Sequence, residues 1–242
     1  MCETAIWMTK RPGLAFVTFL LIALFIFPTL VQASSASNPV AWANGYFVND
    51  VESTTFCSTA WSIIQTSDRG YVVAGDAVSF STQGLGYGAC GGASRAWVLK
   101  LDSTGGIVWQ KTYGEPYNGS ARAVEQTADG GYVVAGRVFL GTGNSDAWVF
   151  KLDQAGNIVW QRTFGGPFDD GARSVQQTSD GGYVVAGFTA WTGIWYVDRF
   201  GDIQGPAWLF KLDSAGNMVW QKTYGDDYLA RSVKQTSDGG FV

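Results

Sequence analysis

One stretch of sequence occurs three times in this chain, and this repeat constrains the fold more than any other feature. The copies cover residues 96–134, 147–185 and 207–242. The equivalent residues Trp97, Trp148 and Trp208 are separated by 51 and 60 positions, so the second interval contains an insertion of nine residues. A repeat of about 50 residues with four short β-rich runs is typical of a β-propeller blade. The spacing therefore predicts an all-β propeller.

The second copy indicates how the strands of one repeat are arranged. Residues 147–153 and 158–164 are joined by turn residues, which predicts a hairpin, and residues 172–178 and 183–188 predict a second hairpin in the same way. Four strands per repeat then form one antiparallel blade. Both faces of these strands are rich in Ala, Val and Gly, as expected when each blade packs between two others.

Composition excludes several classes of function. The formal net charge of −4, the pI near 4.8 and the lack of a basic block argue against a nucleic-acid partner. The chain contains no His, which excludes His-based acid–base catalysis, Ser-His or Cys-His nucleophiles and His-ligated metals. The sequence predicts no catalytic residue, cofactor or metal site.

The N-terminus has the order of segments found in a secretory signal peptide. Basic residues precede an apolar run at 14–30, and small residues follow, with a cleavage site expected after Ala33. A retained membrane anchor is the alternative, because such a run approaches the length of a membrane span. We expect a signal peptide at 1–33 and a propeller domain at 34–242. The domain is then secreted, periplasmic or on the cell surface, and it meets a membrane only if the N-terminal segment is retained.

Two cysteines, Cys57 and Cys90, remain once the signal is removed. An exported domain allows them to form a disulfide, which would close a loop of about 33 residues and contribute about 3–4 kcal/mol. Two unpaired buried thiols are the alternative, because pairing cannot be deduced from sequence.

Several residues of the repeat resemble the kelch-type propeller. Arg173 opens a strand, residues 182–187 form an aromatic and hydrophobic run that ends in glycine, and Trp148 and Trp160 occupy the following pair of strands. The run has Ala-Gly where kelch repeats have two glycines. This resemblance implies that Arg173 lies on the innermost strand of a blade and residues 158–164 on the outermost.

The repeat also resembles three further groups of proteins. The pattern Asp-x-x-Gly-x-x-x-Trp is similar to the Trp-docking repeat of quinoprotein-like propellers. It occurs at Asp102/Gly105/Trp109, Asp153/Gly156/Trp160 and Asp213/Gly216/Trp220. Thr178-x-Asp180-x-Gly182 is similar to the Asp-box of sialidase-type propellers. The whole repeat resembles secreted bacterial and archaeal repeat proteins with segments of the type SDGGYVVAG and KLDSNGNIVWQKTYGG.

Four inner strands are expected, beginning near Ala60, Ala121, Ala172 and Ala230. The fourth blade has only the start of its second strand before the chain stops at Val242. We therefore expect an incomplete ring, with the C-terminus truncated relative to a closed propeller.

Arg122, Arg173 and Arg231 occupy one position of the repeat, where the first blade has Trp61. One hypothesis places these arginines at the mouth of a central channel, suited to a carboxylate or sulfated ligand. The other, which we favour, is that each pairs with a carboxylate of its own loop or of the neighbouring blade, because a residue repeated in every blade is usually scaffold.

Aspartates also recur in the turns. They could act as calcium ligands, or they could shape the turns. They occur singly, without the clustered spacing of a calcium loop, so we predict turn residues. These aspartates are Asp102, Asp129, Asp153, Asp180, Asp213 and Asp238.

Function is expected in the segments that break the repeat, 80–94 and 189–206. The second contains Trp191, Trp195, Tyr196 and Arg199, and exposed aromatics on a loop suit a sugar ring or a protein partner. Packing of these aromatics against the blade is the alternative. The sequence thus predicts an exported, non-enzymatic binding module for a protein or carbohydrate. The runner-up is part of an extracellular enzyme, either a polysaccharide-active hydrolase or a quinoprotein-like dehydrogenase.

Overall fold

A computed structural model describes residues 56–79, 94–114, 118–141, 143–190, 196–197, 203–225 and 229–242. Twelve of its strands form three four-stranded antiparallel sheets, which we call blades 1 to 3. Blade 1 contains β1 (Phe56–Gln65), β2 (Tyr71–Ser79), β3 (Ser94–Leu101) and β4 (Ile107–Tyr113). Blade 2 contains β5 (Asn118–Gln126), β6 (Tyr132–Phe139), β7 (Ser145–Leu152) and β8 (Ile158–Phe164).

Blade 3 is interrupted by the insertion that the repeat spacing predicts. It contains β9 (Asp170–Gln177), β10 (Tyr183–Thr189), β13 (Ala207–Leu212) and β14 (Met218–Tyr224). Between β10 and β13, a two-stranded ribbon of β11 (Tyr196–Val197) and β12 (Ile203–Gln204) belongs to the insertion.

The predicted fold class is confirmed: the chain has a propeller-like all-β fold built from four-stranded antiparallel blades. No helix occurs in the described ranges, and so none there is long and apolar enough to span a membrane. The predicted signal segment, 1–33, lies outside the described residues.

The blades pack through both faces of their strands, as the composition of the strands predicts. On β6, Tyr132 and Val134 face blade 1, whereas the alternating Val133 and Ala135 face blade 3. All four side chains are at most 2% exposed. A blade between two others buries both faces of its sheet. Its strands are therefore apolar on both faces, instead of alternating between apolar and polar residues.

The first strands of the blades lie side by side and form the inner edge of the assembly. The Val124 amide of β5 donates to Ser62 Oγ of β1 at 3.4 Å, and the Gln177 amide of β9 donates to Glu125 Oε2 of β5 at 2.8 Å. The last strands of the blades, β4, β8 and β14, lie at the opposite edge. Arg173 is therefore on an innermost strand, as the kelch resemblance implies.

Each inner strand contains a β-bulge at the same repeat position. The pairing of β5 with β6 skips one residue between Ala121 and Ala123, so Arg122 is the extra residue. Trp61 and Arg173 occupy the same place in blades 1 and 3. Opposite each bulge the second strand carries a glycine, and at Gly136 a Cβ would overlap the Ser120 carbonyl oxygen. The bulge thus explains why this glycine recurs.

Neighbouring blades are also joined at their outer ends by tryptophan. Trp109 of β4 lies against Gly156 in the β7–β8 turn, where a Cβ would approach its ring to 3.0 Å, and its Nε1 donates to the Gln154 carbonyl at 3.0 Å. Trp160 packs against Gly216 in the same way. The Trp and Gly of the Asp-x-x-Gly-x-x-x-Trp pattern therefore meet across a blade boundary.

A buried lysine links the two hairpin turns within each blade. Lys151 Nζ lies 2.9 Å from Asp129 Oδ2 and donates to the Leu152 carbonyl at 3.0 Å, while only 5% of the lysine side chain is exposed. Lys100–Asp68 and Lys211–Asp180 repeat this pair. The pair fixes the relative position of the turns at one end of every blade.

Asp129→Asn should lower the melting temperature at pH 7 by about 2–4 °C, the effect of about 1 kcal/mol in a domain of this size. The effect is this small because the Asp129 side chain is 66% exposed, so solvent screens its charge. Burial disfavours the charged carboxylate, but hydrogen bonds from Thr127 and Lys151 outweigh it and lower the pKa of Asp129 to about 2. A lowered folded-state pKa stabilises the protein at neutral pH, and this stability is lost as the pH falls from about 4 towards 2. Thermal melts of both proteins between pH 2 and 7 test this. A difference that persists unchanged at pH 2 would contradict it.

A fourth blade begins at 229–242, where Gln235 and Phe241 form an isolated bridge. At the other end of the arc, 59% of Ile63 is exposed on β1, although the equivalent Val124 and Val175 are at most 7% exposed. No described blade covers that side of blade 1.

Candidate functional site

A half-open cavity of about 550 Å³ lies where blade 3 meets the loop that follows β8. Trp208 and Gln221 line it, and Trp208 Nε1 donates to Gln221 Oε1 at 3.0 Å. Lys222 is its charged lining residue. The other lining residues are Gly165, Gly166, Pro167, Phe168, Thr189, Ala190 and Thr223. We call this the blade 3 cavity.

The blade 3 cavity lies at the base of the insertion. Thr189 and Ala190 line it and lead directly into the insertion, and the Thr189 amide donates to the Pro206 carbonyl at 3.2 Å, which closes the base. Of the predicted ligand residues, Trp191, Trp195 and Arg199 lie outside the described residues, and Tyr196 is described only as part of β11. Their roles remain predictions.

Blade 2 has a smaller counterpart of about 360 Å³, which shows which features belong to the repeat. There Trp148 Nε1 donates to Gln161 Oε1 at 3.3 Å. Arg162 and Thr163 occupy the positions that Lys222 and Thr223 have in blade 3. Its upper wall consists of Val138 and Leu140, which are apolar. We call it the blade 2 cavity. The blade 3 cavity differs from it in size, in its Thr189–Ala190 wall and in its position at the insertion.

An acidic cluster lies behind the Gly165 wall of the blade 3 cavity. Asp146 Oδ1 and Asp170 Oδ2 lie 2.5 and 2.7 Å from the point that a Cβ on Gly165 would occupy. Asp169 and Asp170 are at most 4% exposed. Only glycine at 165 leaves room for both carboxyl groups. The cluster is not part of the repeat, because Arg95 and Pro206 stand at the position of Asp146 in the other blades.

Hydrogen bonds from the cluster fix the cavity wall. The Gly166 amide donates to Asp170 Oδ2 at 2.7 Å, and Asn144 Nδ2 donates to the Phe168 carbonyl at 3.0 Å. Asp169 Oδ1 accepts the Ser145 amide at 2.8 Å and the Ser145 hydroxyl at 2.7 Å. The loop 165–168 is therefore held by Asn144 and Asp170, which are not repeated at the equivalent positions of the other blades. The cavity is thus largely preformed.

The cluster raises the pKa of two of its carboxyl groups. Burial raises the pKa of Asp170, and the charges of Asp146 and Asp169 add to this, while hydrogen bonds from Thr189 and Gly166 oppose it. Burial and the charge of Asp169 also raise the pKa of Asp146, which is only half-buried. One oxygen of Asp170, Oδ1, is buried without a hydrogen-bond partner. Such a pair can hold a proton at a pH where free aspartate has released it.

Asp146→Asn should raise the melting temperature at pH 7 by about 2–4 °C. A carboxyl group with a raised folded-state pKa stabilises the protein at low pH, and this contribution is lost as the pH rises through that pKa. Removing the charge therefore helps at neutral pH and gains little at pH 4. Thermal melts at the two pH values test this, and a variant that melts lower than the native chain at pH 7 contradicts it.

The repeated arginines contact their surroundings in different ways. Arg122 Nη2 lies 3.9 Å from Asp76 Oδ2 of blade 1, and its guanidinium carbon lies 3.9 Å from the centre of the Trp61 ring. Arg173 lies over Phe188 of its own blade, at 5.7 Å. Arg231 is exposed on the segment that begins the fourth blade. For Arg122, the partner is thus a carboxylate of the neighbouring blade.

Asp169 and Asp170 precede Arg173 in the sequence. Asp169 and Asp170 bind Ser145 and the 165–168 loop as described above. The residues preceding the other two arginines, Glu115, Asp226 and Asp227, lie outside the described residues, as does Cys90. Cys57 is described only as part of β1, so a disulfide with Cys90 stays a prediction.

The turn aspartates shape their turns. Asp153 Oδ1 accepts the Asn157 amide at 2.8 Å, and Asp213 does the same for Asn217. Asp180 Oδ1 accepts the Gly182 amide at 3.0 Å. Within the described ranges, no group of three acidic or cysteine side chains is placed to hold a metal ion.

Sequence reasoning missed Asp146 and the cavity beside it, although a signal was present. Asp146 stands where the other blades have Arg95 and Pro206, and Asp169–Asp170 stand where blade 2 has Asn118–Gly119. These departures from the repeat were visible, but only the packing of β7 against β9 brings them together.

Comparison with known proteins gives only structural likenesses. No family model matches the chain, and no curated protein matches it in sequence. A variant of the Synechocystis apocarotenoid oxygenase is 13% identical with a TM-score of 0.44, and the match covers 75% of this chain and 42% of the oxygenase. A eukaryotic initiation factor is 9% identical with a TM-score of 0.38, covering 71% of this chain and 33% of that one.

A third match is a protein of unknown function from Bacteroides caccae. It is 14% identical with a TM-score of 0.23, and the match covers 73% of this chain and 85% of that one. The chain spans less than half the length of the oxygenase and of the initiation factor. We take no function from these likenesses.

Proposed function

We propose that the chain is an exported, non-enzymatic binding module whose ligand, a protein or a carbohydrate, occupies the blade 3 cavity at the base of the insertion. The observation that carries this proposal is the coincidence of three features outside the repeat: the insertion, the acidic cluster and the larger cavity. A residue repeated in every blade usually packs one blade against the next, whereas residues outside the repeat are not needed for this packing and can bind a ligand.

The lining of the cavity supports this proposal. Its volume, about 550 Å³, is within the range of pockets that hold small molecules or a sugar unit. Lys222 and Thr223 offer hydrogen-bond donors at its rim, and Phe168 and Trp208 provide apolar surface. The insertion would add Trp191 and Trp195, whose rings bind sugars or protein side chains at low entropic cost.

Export is proposed from the sequence of the N-terminus. The order of basic, apolar and small residues in 1–33 supports a cleaved signal, with a retained anchor as the alternative. The likeness of the repeat to secreted repeat proteins supports the same location.

The experiment compares two variants on a glycan array and by calorimetry with the selected glycan. We expect Trp191→Ala/Trp195→Ala to weaken binding about a hundredfold with little change in melting temperature, because these aromatics would be hot spots outside the packed blades. Arg173→Ala should lower the melting temperature and leave the dissociation constant nearly unchanged. The proposal is wrong if the Trp pair sets stability and Arg173 sets binding.

A hydrolase is the second candidate, and one observation favours it. Asp146 and Asp170 are two carboxyl groups with raised pKa values behind the Gly165 wall of the cavity, and a carboxyl group that stays protonated can serve as a general acid. Release of reducing ends from a polysaccharide panel by the native chain, abolished by Asp146→Asn, would favour this candidate over a pure binding role. A dehydrogenase of quinoprotein type would need cofactor-binding residues outside the repeat.

A further inference from the structure

A single Asn-x-Ser/Thr sequence occurs in the chain, at Asn118, Gly119 and Ser120. This tripeptide is the acceptor sequence for N-linked glycosylation in exported proteins. It does not belong to the repeat, because blade 3 has Asp169 and Gly171 at the positions of Asn118 and Ser120. Since a short motif also occurs by chance, the places of its side chains in the fold decide whether it carries weight.

The Asn118 side chain is accessible to a bulky substituent. Asn118 is the first residue of β5, an edge strand of the blade 2 sheet, and it is exposed. Asp169 has the equivalent place in blade 3, but it is 4% exposed and accepts the Ser145 hydroxyl. A substituent on Asn118 therefore meets solvent at the end of the strand, whereas the same position of blade 3 belongs to a buried cluster.

The Ser120 hydroxyl does nothing visible for the folded blade. Ser120 is 5% exposed, and its Oγ has no hydrogen-bond partner in the part of the chain that the structure describes. Burying a hydroxyl group without a partner is unfavourable. Blade 3 forms the same strand with Gly171, so the strand itself needs no hydroxyl there. The acceptor sequence, in contrast, requires a hydroxyl at this position.

We propose that Asn118 is the acceptor of an N-linked glycan, attached before β5 pairs with β6. In the transfer, Asn118 Nδ2 forms a bond to C1 of the first sugar of a lipid-phosphate-linked oligosaccharide. The bond from C1 to the phosphate oxygen breaks, the lipid phosphate leaves with the electron pair, and the amide releases one proton. This inference rests on the export proposed above, but it does not depend on the blade 3 cavity.

The order of attachment and folding follows from the burial of Ser120. The acceptor sequence is read through its hydroxyl as well as its asparagine, and in the folded blade only Asn118 is exposed. Pairing of β5 with β6 places Ser120 opposite Arg137 and buries it. An unfolded chain presents both side chains. The nascent chain is therefore a good acceptor, and the folded protein is a poor one.

The test is secretion of the full chain from yeast, once with its own N-terminus and once with a yeast signal in place of 1–33. Peptide-N-glycosidase digestion in heavy-oxygen water and mass spectrometry of the tryptic peptide 112–122 distinguish a former glycan from spontaneous deamidation. We expect a glycan on most secreted chains. Asn118→Gln and Ser120→Ala should remove it, and Ser120→Thr should retain it. Asn217→Gln, at an exposed asparagine outside the motif, is the matched control and should also retain it.

Val159→Thr is the positive control for the host. It completes an acceptor sequence at Asn157, and Val159 is 61% exposed. The proposal is overturned if this variant carries a glycan at Asn157 while Asn118 carries none, or if Asn118 shows deamidation only. A glycan on Asn118 with the yeast signal but not with the native N-terminus would support this site and contradict the proposed export.

The order of events has its own readout. The folded, unglycosylated chain and the isolated peptide 112–122 are offered to a purified oligosaccharyltransferase with its lipid-linked donor. We expect the peptide to be modified about tenfold faster or more, because the folded chain must first open locally. Ser120→Ala should leave the melting temperature of the unglycosylated chain unchanged. Equal rates would overturn the proposed order, and a lower melting temperature would overturn the argument from the buried hydroxyl.

Discussion

Gly136→Ala is expected to lower the free energy of unfolding by about 3–5 kcal/mol, an exceptional value for the addition of one methyl group. The new Cβ would overlap the Ser120 carbonyl oxygen, which is backbone and cannot move without breaking the β5–β6 pairing. The bulge at Arg122 is what brings this carbonyl so close. Urea denaturation of the native and variant proteins measures the difference.

Gly166→Ala is the matched control for this prediction. No atom lies within 4 Å of the position of its Cβ, so the change should alter stability by less than about 0.5 kcal/mol. Equal stability of Gly136→Ala and Gly166→Ala would mean that the bulge does not constrain the second strand.

Thr223→Trp is expected to reduce ligand affinity at least tenfold by filling the blade 3 cavity. Thr223 lines the cavity and is exposed, so an indole at this position occupies ligand volume without entering the core. Thr163→Trp makes the same change at the equivalent position of the blade 2 cavity. Calorimetry with the array-selected glycan should show a loss for the first variant only. An equal loss for both would assign binding to the repeated cavities.

Much of the blade was predictable because local and repeat signals agree. The predicted strand 158–164 matches β8 (Ile158–Phe164), and the predicted strand 183–188 matches β10 (Tyr183–Thr189) to within one residue. Turn residues such as Asp153 and Gly156 determine these boundaries locally, and the period of the repeat determines which strands share a blade.

The site was less predictable because it depends on contacts between distant segments. Asp146 lies on β7 and Asp170 on β9, so the strand β8 separates them in the sequence. Only the packing of blade 2 against blade 3 brings both next to Gly165. The bulges at Trp61 and Arg122 depend on the register in which the first two strands of each blade pair, and not on the residue type at the bulge. The ribbon β11–β12 in the insertion has no counterpart in the repeat, so repetition gave no information about it.

The central claim, that the ligand binds in the blade 3 cavity at the base of the insertion, is tested most directly by hydrogen exchange with and without the array-selected glycan. We predict that protection is confined to peptides covering 165–168, 189–206 and 221–223, which line or adjoin the blade 3 cavity. The equivalent peptides of the blade 2 cavity, around 138–140 and 161–163, should exchange as in the free protein. Protection of both cavities alike, or of the arginine-bearing inner strands β5 and β9 instead, would contradict this account.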